Sequence, residues 1–203
     1  PAASAAKPAK KPPPQAAEEP PLPAVPLTGG LLYDLLTAEL ASGRGDYLGA
    51  AKRYLDLAHK TADPRLAELA TRNAVAAQGS GTLALSAARE WIALAPKDAD
   101  AHQFAASLYL GAGDTTHAMD ELHQVLALDT EGNGFVTIAA MLSREPDKDA
   151  ALKIMKQFMT EYGNDADAQY AFGYVAFRKG DMDTAMKAMD AALKLRPDWT
   201  RAI

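Results

Sequence analysis

Four histidines, His59, His102, His117 and His123, are the side chains of this 203-residue sequence best suited to hold a metal or move a proton. Their spacing does not gather them. His117 and His123 are six residues apart, about 240° around a helix, so they point to different faces. The His-Glu-x-x-His spacing, which sets two imidazoles and a general base on one helical face, is absent. With no cysteine, disulfides, thiolate metal centres and cysteine nucleophiles are excluded. No serine, histidine and acid combination stands out. Asp181, Asp183 and Asp190 read as a helix cap and a solvated face, because a calcium loop needs ligands at alternating loop positions. The expectation is a chain that is not an enzyme and carries no metal and no cofactor.

Binding is the chemistry that remains. Tyr170, Tyr174 and Phe177 are spaced by four and three, which makes one aromatic stripe on a helix. Such a stripe is either core or the anchor of a binding surface. Phe172, Gly173 and Ala176 fall on the face expected to pack inward, and the two readings stay open. The net charge of -5 and the pI near 5.4 argue against nucleic acid, which asks for a basic footprint. No run of about 18 apolar residues occurs, so no membrane-spanning helix is expected in this sequence. Trp91, in the amphipathic stretch around Ala84 to Ile92, is expected to fill a gap between repeats rather than to seat in lipid. The chain begins at Pro1 rather than Met, which reads as a processed or engineered end.

The elements that must position these residues are legible as a repeat. Gly45-Asp46, Gly79-Ser80 and Gly113-Asp114 recur every 34 residues, and Gly180-Asp181 keeps nearly the same phase. Alanines follow in step at 50, 84, 118, 151 and 185. A glycine past a first helix can take the left-handed conformation that ends it. The next residue (Asp46, Ser80, Asp114, Asp147 or Asp181) can then accept from the amides that open a second helix. Pro96 and Pro197 sit where second helices must stop. The in-phase alanines let helices approach closely, with Tyr54, Leu122, Met155 and Met189 filling the space one turn on. The register predicts repeats at 31–64, 65–98, 99–131, 132–165 and 166–199, with 200–203 opening a sixth, so a longer parent protein is expected. Pro146 stands where the fourth repeat lacks its glycine. Residues 1–26, rich in proline and alanine, are expected to be a disordered spacer able to reach several tens of ångströms at about 3.1 Å per residue.

With Gly173, Gly180, Ala185, Ala192 and Pro197 in one repeat, and Pro96, Ala106, Tyr109 and Ala118 around another, the chain resembles the tetratricopeptide repeat family. The resemblance implies an all-α fold, a right-handed α-solenoid of about five helical hairpins. It also implies that the first helices line a concave groove for proteins or peptides. The residues so placed are Leu35 and Glu39, Leu69 and Asn73, Gln103 and Ser107, Val136 and Ala140, then Tyr170, Tyr174, Phe177 and Arg178. Of these only Asn73 and Arg178 approach the lysine and asparagine pattern with which some relatives clamp a carboxyl terminus. The family's large aromatic near the start of each repeat is replaced by Asp34, Glu68, His102 and Gln169, with Phe135 conforming. Arg72 stands at a small-residue position, so looser or differently angled packing is expected between the first two repeats.

A narrower resemblance rests on Leu27-Thr28-Gly29-Gly30-Leu31-Leu32-Tyr33, then Ala38-Glu39-Leu40-Ala41, Arg44-Gly45-Asp46-Tyr47 and Asp63-Pro64-Arg65-Leu66-Ala67-Glu68. This string is similar to the start of the long tetratricopeptide outer-membrane lipoproteins of Gram-negative proteobacteria. The resemblance implies a periplasmic adaptor, tethered through a lipidated cysteine not present in this chain. Its partners would be a carboxyl-terminal processing protease and that protease's substrates. Two other readings are open: the leading array of a larger enzyme, and an assembly factor for a pilus or secretion system. A cytoplasmic location is the alternative to the periplasm.

Overall fold

The computed structural model describes residue 23 and residues 25–198. The expected spacer at 1–26, but for three of its residues, and the opening of a sixth repeat at 200–203 lie outside them. Among the described residues there are ten α-helices and no strand. They form five hairpins: α1 (Gly29–Gly43) with α2 (Tyr47–Thr61), α3 (Pro64–Ala76) with α4 (Gly81–Leu94), and α5 (Ala99–Gly111) with α6 (Thr115–Leu128). Then come α7 (Gly134–Arg144) with α8 (Lys148–Tyr162), and α9 (Ala166–Lys179) with α10 (Met182–Leu195).

The hairpin turns follow from backbone chemistry. Gly45, Gly79, Gly113 and Gly180 all hold φ between 76 and 86°, which a side chain would oppose by roughly 1–2 kcal/mol. Asp46, Asp114, Asp147 and Asp181 then accept from amides in the first turn of the second helix. Ser80 departs from this expectation. Its hydroxyl donates back to the carbonyls of Ala74 and Ala77, finishing α3 instead of capping α4. A hydroxyl can donate where a carboxylate cannot, and the orphan carbonyls of α3 are nearer. In the fourth hairpin Glu145 is extended ahead of Pro146, as a residue before proline must be, and α7 ends without a glycine.

Packing depends on small residues at the helix crossings. Ala50, Ala84, Ala118 and Ala151 are wholly buried and Ala185 nearly so, with Tyr54, Leu122 and Met155 buried one turn on. Gly173 serves the same end between α9 and α10. A Cβ there would stand 3.0 Å from Met189 Cε and 3.2 Å from the Ala185 carbonyl. The largest core runs from Ala88 and Ala106 through Leu122, Ile138, Leu142, Ile154 and Phe158 to Val175. The first half closes on smaller residues, Ala38, Ala50, Ala70 and Ala87, around Tyr54 and Leu57. Arg72 does not intrude there: it is exposed, bonded to Glu68 at 2.7 Å, with its guanidinium 4.9 Å from the Phe104 ring centre. Trp91 fills the space between Ala58, Ala67, Ala95 and Ala101, and its indole N–H donates to Asp98 at 3.0 Å.

His102 occupies the position of the missing aromatic and is 4% exposed. Its Nδ1 lies 2.6 Å from Glu121 Oε2 and its Nε2 3.1 Å from the Pro96 carbonyl. Both ring nitrogens therefore face acceptors, an arrangement that only the imidazolium satisfies. The Glu121 hydrogen bond raises the His102 pKa above its ordinary 6.5 against the opposing cost of burial, with Pro96 and the charges of Glu121 and Asp98 adding to the rise.

Two tests follow from this packing. Ala118→Leu is expected to overpack the α5–α6 crossing and cost about 1–3 kcal/mol in urea melts; an unchanged midpoint would show that the crossing has room. For His102, the raised folded value means that its stabilisation is complete below pH 6.5 and is lost as pH rises through that raised value. Thermal melts of the parent should fall relative to His102→Phe as pH moves from about 6 to about 9. Parallel curves for the two proteins would refute the charged histidine.

Candidate functional site

The four histidines stay apart. His59 faces Glu90 at 3.5 Å, His117 faces Asp114 at 2.6 Å and His123 faces Glu161 at 3.8 Å, while His102 is spent in the core. Among the described residues no group of three His, Asp or Glu side chains could hold a metal ion. No described helix is long and apolar enough to cross a membrane. The candidate site is therefore the face carried by the first helices α1, α3, α5, α7 and α9.

On α1 and α3 most of that face is committed within the molecule. Leu35 and Leu69 are half-buried on the alanine-rich core. Glu39 is exposed but engages the Tyr54 phenol, whose pKa is raised first by burial, then by the Glu39 hydrogen bond and charge. Asn73 is 7% exposed; its Oδ1 accepts from Ser42 Oγ at 2.8 Å and its Nδ2 donates to the Leu69 carbonyl at 2.9 Å. Asn73 is thus a link between α1 and α3, and its amide is taken. On α5, Gln103 is half-buried within 3.5 Å of Asp100, and Ser107 is exposed.

The face changes character at α7 and α9. Val136 is 38% exposed and Ala140 half-buried beside it in sequence. The aromatic stripe of α9 divides. Tyr170 packs on Ala166 and Ala192 of the last hairpin. Tyr174 packs at the margin of the main core, half-buried. Phe177 is 54% exposed and belongs to no core cluster. Core and surface readings of the stripe therefore each hold for part of it: Phe177 faces solvent while Val175, Ala176 and Lys179 around it are buried. Arg178 beside it is exposed.

Sequence reasoning passed over the group that organises this end. Lys179 is buried, and its ammonium donates to the carbonyls of Ser143, at 3.1 Å, and Glu145. It ties the end of α9 to the end of α7. Burial above all lowers its pKa, with Lys148 and Arg178 acting the same way against the Glu145 carboxylate.

Comparisons with known proteins agree on the architecture. Residues 166–198 match the model of the tetratricopeptide repeat family. A TPR repeat-containing protein of Pseudomonas aeruginosa is 28% identical over 162 residues, which is 78% of this chain and 27% of that protein. The chain thus spans about a quarter of the length of that relative. Among solved structures, a MamA RS-1 double mutant superposes with a TM-score of 0.50 at 14% identity, covering 86% of this chain and 98% of the other. YrrB, described as a TPR protein with an unusual peptide-binding site, gives 0.46 at 18% identity, over 83% of this chain and 88% of its own. Residues 166–198 are similar to a tetratricopeptide repeat, and the described residues fold as an α-solenoid of helical hairpins.

Proposed function

We propose that the chain is a non-enzymatic scaffold whose first-helix face binds segments of other proteins, with its contact centre on α7 and α9. The observation that carries this reading is the exposed aromatic at Phe177, one turn beyond half-buried Tyr174 on α9. Large rigid side chains in partial pockets are the usual anchors of protein contacts, whereas a chain that served only as a spacer would bury them or replace them with charge.

The finer reading is an adaptor of the Gram-negative cell envelope, held at the outer membrane by a lipid anchor ahead of the proline-rich spacer. It would bring a carboxyl-terminal processing protease to its substrates, such as cell-wall hydrolases. The similarity of residues 27–68 to such lipoproteins supports it, as does a relative in a Gram-negative organism. Its mechanism is effective concentration: two proteins bound on one solenoid meet more often than they would in solution.

A three-component assay tests the proposal. Substrate cleavage by the protease should accelerate about tenfold or more as the array is added, then fall when excess array holds the two proteins on separate copies. A flat response at every concentration would rule out the adaptor. Within the same assay, Phe177→Ala should leave the melt within about 0.5 kcal/mol of the parent. It should weaken partner binding by about 2 kcal/mol, roughly thirtyfold. Full binding by that variant would move the contact centre off α9.

A further inference from the structure

The outward face of α1 is apolar and open. Leu32, Tyr33, Leu36 and Leu40 lie on it, each between 42 and 67% exposed. The repeat shows what this face is for. One period on, Ala67, Ala70 and Ala74 of α3 hold the places of Tyr33, Leu36 and Leu40. They are buried in clusters with Ala58, Tyr54 and Ala51 of the preceding α2. In the last hairpin the same places fall to Ala168, Ala171 and Val175, all buried. It is thus the face by which a hairpin stacks on the one before it. The sequence ahead of Gly29 is rich in proline, which a stacking helix does not tolerate in its interior. Arrays close such an end with polar side chains, whereas this one carries larger apolar side chains than α3 does.

Three observations select the occupant. The first is spacing. Gly29, Tyr33, Leu36, Leu40 and Gly43 follow one another at four, three, four and three residues, the seam of a helix that packs on another helix. That order is symmetric about Leu36. A second α1 turned end for end therefore sets Leu36 against Leu36, Tyr33 against Leu40 and Gly29 against Gly43. At both glycines a Cβ would meet nothing within 4 Å, so the ends have room to close. The second observation is charge. A chain of formal charge -5 repels its own copies except through neutral surface, and this seam is neutral. Asp34 is paired with Lys60 at 3.3 Å, Glu39 at the edge engages the Tyr54 phenol, and Arg44 lies past the end. α1 also holds no lysine or arginine, which a helix lying on lipid would carry. The third is area. The four side chains offer roughly 450 Å² per copy, about 900 Å² in a pair, which suits a weak reversible contact rather than an obligate one.

We propose that the outward face of α1 is a self-association surface, on which a second copy of this chain docks its own α1 antiparallel about a two-fold axis at Leu36. Each copy covers the other's unstacked end. The surface of α7 and α9 stays free in both copies. The contact goes beyond the scaffold reading and does not rest on it.

Sedimentation velocity of the whole chain from about 5 to about 500 µM should show monomer giving way to dimer, half formed at about 50 µM. Leu36→Glu sets two carboxylates against each other at the axis and should weaken the dimer about tenfold or more. It should melt like the parent, since Leu36 belongs to no core cluster. Disulfide trapping reads the orientation, because the chain has no cysteine of its own. Under oxidised glutathione, a mixture of Tyr33→Cys and Leu40→Cys chains should cross-link about fivefold more than either variant alone. A chain that stays monomeric throughout would overturn the proposal. So would a dimer unchanged by Leu36→Glu, or equal trapping in the mixture and in the single variants. Binding to phosphatidylcholine vesicles that Leu36→Glu abolishes, with no dimer in solution, would give the face to a lipid surface and overturn it as well. Each of these outcomes leaves the three-component assay to judge the scaffold by itself.

Discussion

A helical hairpin of this size cannot bury its own apolar surface, and everything else in the structure depends on the stacking that this forces. Two helices of about fourteen residues share one interface and leave two faces of each exposed. The second helix of one hairpin and the first of the next must meet, and they must meet at small side chains. Wholly buried alanines line the helix contacts from the first hairpin to the last, and Gly173 lets α9 approach α10 within the last one. Once every hairpin is committed on both sides, the faces left over are the open sides of the first and of the second helices. Function on this scaffold is what stacking does not consume.

The first-helix face is uneven, and the unevenness has a physical origin. In the first three hairpins the polar groups on it are drawn into internal work: Asn73 between α1 and α3, Glu39 at Tyr54, His102 against Glu121. The alanine-rich interior there brings helices close enough for their side chains to reach one another. In the fourth hairpin the core residues are larger, Ile138, Leu142, Ile154, Met155 and Phe158 among them. The Lys179 tie then substitutes a directional contact for close packing.

The repeat was legible because its determinants are local. Positive φ, an amide seeking a cap and a proline without a donor are each settled within four residues, so Gly45, Asp46 and their counterparts could be placed from sequence. The substitution of a hydroxyl for a carboxylate at Ser80 was the exception, since which end of the turn it serves depends on competing acceptors. The left-handed Gly132 between α6 and α7 was also missed, for it belongs to no recurring pair. The site was legible only in outline. Helical spacing put Tyr170, Tyr174 and Phe177 on one stripe, but how far the neighbouring hairpin covers that stripe is a tertiary fact. Lys179 was illegible for a different reason: a lysine ending a helix looks solvated until the end of another helix, 34 residues earlier, is brought against it.

The first helix carries a mechanical consequence. Of its fifteen residues only Ala38 is buried, while Leu32, Tyr33, Leu36 and Leu40 are open to solvent. Interior helices are gripped from two sides, and this one from one. A pull transmitted through the residues ahead of Gly29 reaches α1 before any other element. The helix would peel away by breaking its contacts with α2 and the Ser42–Asn73 bond to α3, and the Lys179 tie at the far end would feel none of the load. The solenoid is in this sense a ratchet of unequal teeth, yielding first at the end that receives the force.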